Sequence, residues 1–175
     1  MRTIIDMLES VADILVWVVV AWVLFGFATI AQGQELSRQQ KVVAQTLLGE
    51  ARGEGYAGMY AVACLINQRS VNRKLEPWQV CLQDWQFSCW NKNDKNRHKL
   101  PSLLNANTQQ AKWAKSLAVH LMQLNTDYIK GADHYCTLST NPYWSFKRVI
   151  VKGEEKEVSI KPVAILGNHK FYKLK

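Results

Sequence analysis

The stretch Leu47 to Gly58, LLGEARGEGYAG, sets Glu50 and Glu54 on either side of Arg52 and then breaks into glycines. If one helix carried both carboxylates they would share a face, where like charges repel unless Arg52 or burial alters their state. A carboxylate on the last turn of a helix, walled by Leu47, Leu48 and Ala51 and facing a cleft, holds its proton more tightly because desolvation disfavours the charged form. A general acid working near neutral pH needs that property. The structural alternative is that either glutamate pairs with Arg52 or caps a backbone end. Glycines at 53, 55 and 58 stop the helix and let other backbone come close.

The remaining reactive side chains are dispersed. Histidines 98, 120, 134 and 169 are scattered, and Cys64, Cys81, Cys89 and Cys136 show neither a close cysteine pair nor the H-x3-5-H spacing of a zinc site. No metal or other cofactor is expected. In an oxidising compartment the cysteines can pair, and Cys81 with Cys89 would clip the short loop around Trp85. Cys64, within AVACLI, reads as a small core residue and a free thiol. His120 reads as a packed histidine rather than a ligand. Trp85, Phe87, Trp90 and Trp144 either fill the core or offer faces for stacking on sugars, whereas Trp113 belongs to the core.

The elements that must position these groups follow from periodicity and caps. Ser37 with Gln40 forms a capping box, and Val43, Ala44, Leu47, Leu48 and Ala51 keep helical spacing up to the glycines. A second helix is expected over 57–72, with Tyr60, Cys64 and Asn67 on one face or Val62, Ile66 and Arg69 on another. A short third helix starts at Pro77. The segment DWQFSCWNKNDKNRHKLP reads as an aromatic, then polar, loop of the kind that builds binding surfaces. Asn107 is placed to cap TQQAKWAKSLAVHLMQLN, whose core stripe is Trp113, Leu117, Leu121 and Leu124. After that, RVIVKG, EVSI and PVAILGNHKFYKL read as short strands with turns at Gly153 and Gly167-Asn168. Helices followed by a small antiparallel patch indicate an α+β domain.

Bulk composition narrows the setting. The chain has 175 residues, enough for a single core but not two. Ile14 to Ala31, ILVWVVVAWVLFGFATIA, is uncharged and near the minimum length for a membrane span. Residues 1–36 are therefore expected to be a membrane anchor or signal segment, and residues 37–175 the working domain. Residues 1–31 hold one arginine and three acids, so without them the formal charge rises from +8 to +10. A cationic domain suits an anionic polymer such as nucleic acid, a lipid surface or a bacterial cell wall. Nucleic acid is the weaker candidate, and no nucleic-acid partner is expected, because no helix-turn-helix, zinc-finger or RNA-binding aromatic signature accompanies the charge.

Five motifs in order, GEARGEGYAGMYAVACLINQR, WQFSCWN, ADHY, NPYWS and ILGNHKFY, resemble the SleB-type cell wall hydrolases over roughly Arg38 to Lys173. The resemblance implies a lysozyme-like α+β fold that cleaves peptidoglycan glycan strands as a lytic transglycosylase. It also implies that Glu50 is the catalytic glutamate, with Tyr135 orienting it or stabilising charge. Glu54, Gln86, Phe87, Ser88, His134, Asn141 and Trp144 match positions expected to support the site or line the cleft, and His169 and Tyr172 match further motif positions. Asp133 before His134 and Cys136 after Tyr135 depart from the common pattern. Such an enzyme would face the periplasm, held in the inner membrane by its amino-terminal segment or exported after cleavage or release. Its rivals are a zinc amidase cutting the muramoyl-alanine bond and a membrane-anchored wall-binding protein without chemistry.

Overall fold

The computed structural model describes residues 35–152 and 154–174. Leu36–Lys175 is one compact unit. The apolar segment expected to span a membrane lies outside the described residues, as does the turn glycine Gly153. No helix among the described residues is long and apolar enough to cross a membrane.

Helix α1 (Arg38–Ala51) begins at the expected box. Ser37 Oγ accepts the Gln40 N–H at 3.1 Å, and Gln40 Oε1 accepts the Ser37 N–H at 2.9 Å. Its buried side is Val43, Ala44, Leu47, Leu48 and Ala51, joined by Thr46. Helix α2 (Gly55–Arg73) is the centre of the domain, enclosed by α1, α3 (Pro77–Leu82), α5 (Gln109–Val119) and the turn Thr126–Ile129. Val62, Ile66 and Arg69 on one expected face are buried, as are Cys64 and Asn67 on the other, where Tyr60 is half-buried. Burying an apolar side chain such as Val62 or Ile66 contributes about 1.5–3 kcal/mol.

Helix α4 (Leu100–Asn105) forms at the end of what reads in sequence as a polar loop, because Leu100 and Leu104, one turn apart, insert into the core. The cap of α5 is Thr108 rather than Asn107, with Thr108 Oγ1 accepting the Ala111 N–H at 3.2 Å. That helix stops at Val119, so its stripe continues through buried Leu121 in a single 3-10 turn to half-buried Leu124. His120 stands at the stop and is exposed, which corrects the reading of it as a packed side chain.

The strands form two antiparallel pieces. β1 (His134–Thr137), β5 (His169–Tyr172) and β4 (Ala164–Leu166) make a sheet in the order β1-β5-β4, and β2 (Phe146–Val151) pairs with β3 (Glu154–Ser159) in a largely exposed hairpin. In the first sheet Tyr135 faces Phe171 and Thr137 faces His169, while His134 faces Tyr172. Alternation puts Tyr135, Phe171 and His169 on one side and His134 and Tyr172 on the other.

All four cysteines are free thiols, so the Cys81–Cys89 clip is not made. Both are instead packed into the core, Cys81 from α3 and Cys89 against the end of α1.

Candidate active site

Glu50 lies on the last turn of α1, and three groups from distant parts of the chain converge on its carboxylate. Oε1 accepts the Cys89 N–H at 2.9 Å and the Ser88 hydroxyl at 3.2 Å. Oε2 accepts the Tyr135 hydroxyl at 2.7 Å. The carboxylate is half-buried, so it is held from the protein side and still open to a ligand.

The approach of the 88–90 turn depends on Gly49. A Cβ there would lie 2.5 Å from Cys89 Cβ and 2.8 Å from its Sγ. Only glycine lets the turn sit close enough for Cys89 N–H to reach the neighbouring Glu50. The same turn is fastened on its other side by Trp90, whose Nε1–H donates to buried Thr46 Oγ1 at 2.8 Å.

Tyr135 rises from β1 through an aromatic layer. Its ring stacks on Phe171 at 6.0 Å between centroids, meets His169 edge-on at 5.2 Å and lies 6.3 Å from Phe87. Burial, followed by the charge and hydrogen bond of Glu50, pushes the phenol well above its ordinary pKa, against the opposing pull of Arg69. It therefore stays protonated and donates to the carboxylate. Beneath this layer Arg69 is buried, with Nε–H donating to the Asp133 carbonyl at 2.7 Å and its guanidinium 5.4 Å from the Phe87 ring centroid. Burial lowers its pKa to about 10, which still leaves it a cation at neutral pH.

Glu54 does not share a helix face with Glu50, because α1 ends at Ala51 and Glu54 occupies the N-cap position of α2. Its carboxylate makes no cap there. It reaches across to the β4–β5 turn, where Oε2 accepts the Asn168 N–H at 2.8 Å. Gly167 makes the contact possible: it adopts φ +56, and a Cβ on it would lie 2.7 Å from Glu54 Oε2. Arg52 pairs with neither glutamate; its Nη1 donates back to the Leu48 carbonyl at 3.1 Å. Asp133 is buried, and its Oδ1 is shared by the Leu174 N–H at 3.0 Å and His134 Nδ1 at 2.9 Å.

Of the residues singled out in the sequence, Glu50, Ser88 and Tyr135 are brought together. Glu54 and His169 stand alongside them, His169 feeling both glutamate charges. Phe87 is 1% exposed and packs in the core, so it presents no face to a sugar. Gln86 accepts a hydrogen bond from Arg73 Nη2 at 2.9 Å. His134 and Trp144 meet at a tilt, 5.0 Å between centroids, on the opposite side of the sheet from Tyr135, and Trp144 continues edge-on to Tyr172. Exposed Asn141 accepts from Lys170 Nζ at 2.9 Å. Sequence reasoning missed Gly49, the Cys89 amide and buried Arg69. For Gly49 a signal was present, a glycine interrupting a helical pattern one residue before the carboxylate. Among the described residues no three His, Cys, Asp or Glu side chains are grouped to hold a metal ion.

No curated protein and no solved structure matches the chain. The Cell Wall Hydrolase family matches residues 53–172, a stretch that takes in the 88–90 turn, Tyr135 and the β4–β5 turn, with Glu50 lying just ahead of it. With most of its length inside that match, the chain belongs to the Cell Wall Hydrolase family.

Proposed function

We propose that this cell wall hydrolase degrades peptidoglycan as a lytic transglycosylase, with Glu50 as the sole catalytic carboxylate in a lysozyme-like arrangement. The observation that carries the reading is the convergence of the Ser88 and Tyr135 hydroxyls and the Cys89 amide on half-buried Glu50, while Asp133 is buried and Glu54 reaches away to the β4–β5 turn at Asn168. A glycosidase using water needs a second carboxylate flanking the bond, to activate the water or to attack the sugar. With one carboxylate, the substrate's own hydroxyl replaces that partner. Glu50 protonates the oxygen between N-acetylmuramic acid and N-acetylglucosamine, and the C1–O bond breaks. The muramyl 6-hydroxyl then closes on C1 and returns its proton to Glu50, leaving a 1,6-anhydro end and no net use of water. The hydroxyls of Tyr135 and Ser88 and the Cys89 amide hold the carboxylate in place through both proton transfers. The domain faces the periplasm, where its polymer lies, in wall remodelling or phage-type host lysis.

Mass spectrometry of digested peptidoglycan tests the reaction. Anhydro-muramyl ends support it, reducing ends indicate hydrolysis by water, and freed stem peptides indicate an amidase. Glu50→Gln is expected to reduce turnover by about 10²–10⁴-fold, the range lost with a general acid, while the protein still binds sacculi. Undiminished lysis by that variant rejects Glu50 as the acid.

A further inference from the structure

The turn that supplies the Ser88 and Cys89 contacts to Glu50 also forms one wall of a groove of about 680 Å³, lined by Trp85, Trp90, Asn91, Lys92 and Arg97 among others. Two features of this groove have no structural purpose in the fold. Trp85 is 87% exposed and adopts φ +64, at the third position of a turn closed by Gln86 N–H donating to the Gln83 carbonyl at 3.2 Å. That position favours glycine, and a bulky side chain there is strained. An exposed indole on a strained backbone gains nothing from the core and is displayed to whatever enters the groove. Lys92 and Arg97 are also exposed, and neither has a carboxylate partner among the described residues. The acid lining the groove, Asp84, leaves it with a net positive wall.

An aromatic plate beside two unpaired cations complements a sugar that carries an acidic peptide. We propose that this groove reads the stem peptide on a glycan strand held at Glu50: Trp85 stacks on a sugar of that strand, and Lys92 and Arg97 pair with the peptide's carboxylates. The inference rests on the glycan-cleaving reading of Glu50 and adds a preference for peptide-bearing strands over denuded ones. A strand stripped of its peptide offers the indole the same sugar but only the single lactyl carboxylate of muramic acid to the two cations, where the dipeptide offers two carboxylates.

The test is a binding measurement that does not depend on turnover. The full chain with Glu50→Gln is titrated calorimetrically with the disaccharide N-acetylglucosaminyl-N-acetylmuramic acid carrying an alanyl-isoglutamate dipeptide, and with the same disaccharide lacking it. The peptide form is expected to bind about five- to tenfold more tightly at low salt, with the margin shrinking as ionic strength rises. Lys92→Gln combined with Arg97→Gln is expected to bring the ratio to about one, and Trp85→Ala to weaken both forms. Equal affinities, a preference that survives the double substitution, or no binding of either probe would overturn the proposal. Loss of the glycosidase reading would show separately, as sacculus lysis that persists in Glu50→Gln whatever the two affinities are.

Discussion

At Glu50 the two carboxylate oxygens have partners of different kinds: one faces a backbone amide and a serine hydroxyl, the other a buried phenol. The phenol, like the Ser88 hydroxyl, is a partner that can be removed without disturbing the main chain, and it makes the shorter bond. Hydrogen bonds to charged groups are worth about 1.5–3 kcal/mol. Tyr135→Phe is therefore expected to lower kcat about 10- to 100-fold with KM little changed, and steady-state kinetics on a soluble glycan check this. A rise in KM of the same size with kcat unchanged would instead place Tyr135 in binding. His169 gives the site a pH-dependent contribution to stability. Burial lowers its pKa, with Glu54 and then Glu50 opposing, so the folded state holds it neutral to lower pH than the unfolded chain does. As pH falls below the ordinary histidine value of about 6.5, the unfolded state takes up more protons. The stability from His169 is thus complete above that value and is lost as pH falls through its lowered folded value. Thermal melts from neutral to mildly acidic pH should fall more steeply for the wild type than for His169→Gln; parallel curves would show that the imidazole is not the group responsible.

At the scale of elements, the site depends on how closely the 88–90 turn meets the end of α1. Gly49→Ala places a methyl against the Cys89 side chain and 3.2 Å from Leu100 Cδ2. Overpacking of this kind destabilises by about 1–3 kcal/mol. Because the displaced turn also withdraws the Cys89 amide from Glu50, the variant should lose more activity than its denaturant melt explains. Full activity with wild-type stability would show that the turn tolerates the methyl. The β4–β5 turn is fastened by the same logic from the far side, since Glu54 leaves the N-terminus of α2 uncapped in order to hold Asn168. Although they stand four residues apart, the two glutamates are held differently: Glu50 by the 88–90 turn and Tyr135, Glu54 by the β4–β5 turn.

For the whole molecule, α1 and α2 pack together with α3 and α5 around one core, and burial in that core explains the chemistry of the thiols. Burial raises the pKa of Cys64 to about 11 and that of Cys81 to about 12, and pushes Cys89 higher still with help from the Glu50 charge. Thiolates are the reactive form, so these three are inert in the native state. Cys136, half-buried on β1, is expected to be the single thiol modified when native protein meets an alkylating reagent near pH 8. The other three should react only after denaturation, and peptide mapping reads the order. Rapid native modification of Cys89 would mean that the turn beside Glu50 opens.

Local rules carried much of the fold. The Ser37–Gln40 box, the end of α1 at Ala51, the start of α3 at Pro77 and the Gly167-Asn168 turn each rest on residues near one another in sequence, and each is found where those residues place it. Strand β1 and helix α4 were not legible, because four and six residues carry too little periodicity and their stability comes from partners elsewhere. The sequence marked Glu50 and Glu54 as carboxylates that could do chemistry, where an apolar helical face runs into glycines, and its resemblance to the SleB-type hydrolases singled out Glu50. Only the tertiary structure decided that Glu54 is a fastening, that Phe87 is core, and that the Ser88 hydroxyl, the Cys89 amide and the Tyr135 phenol all meet at Glu50. Those contacts join residues 38 to 114 positions apart, and no local pattern encodes which distant group will be packed against a given side chain.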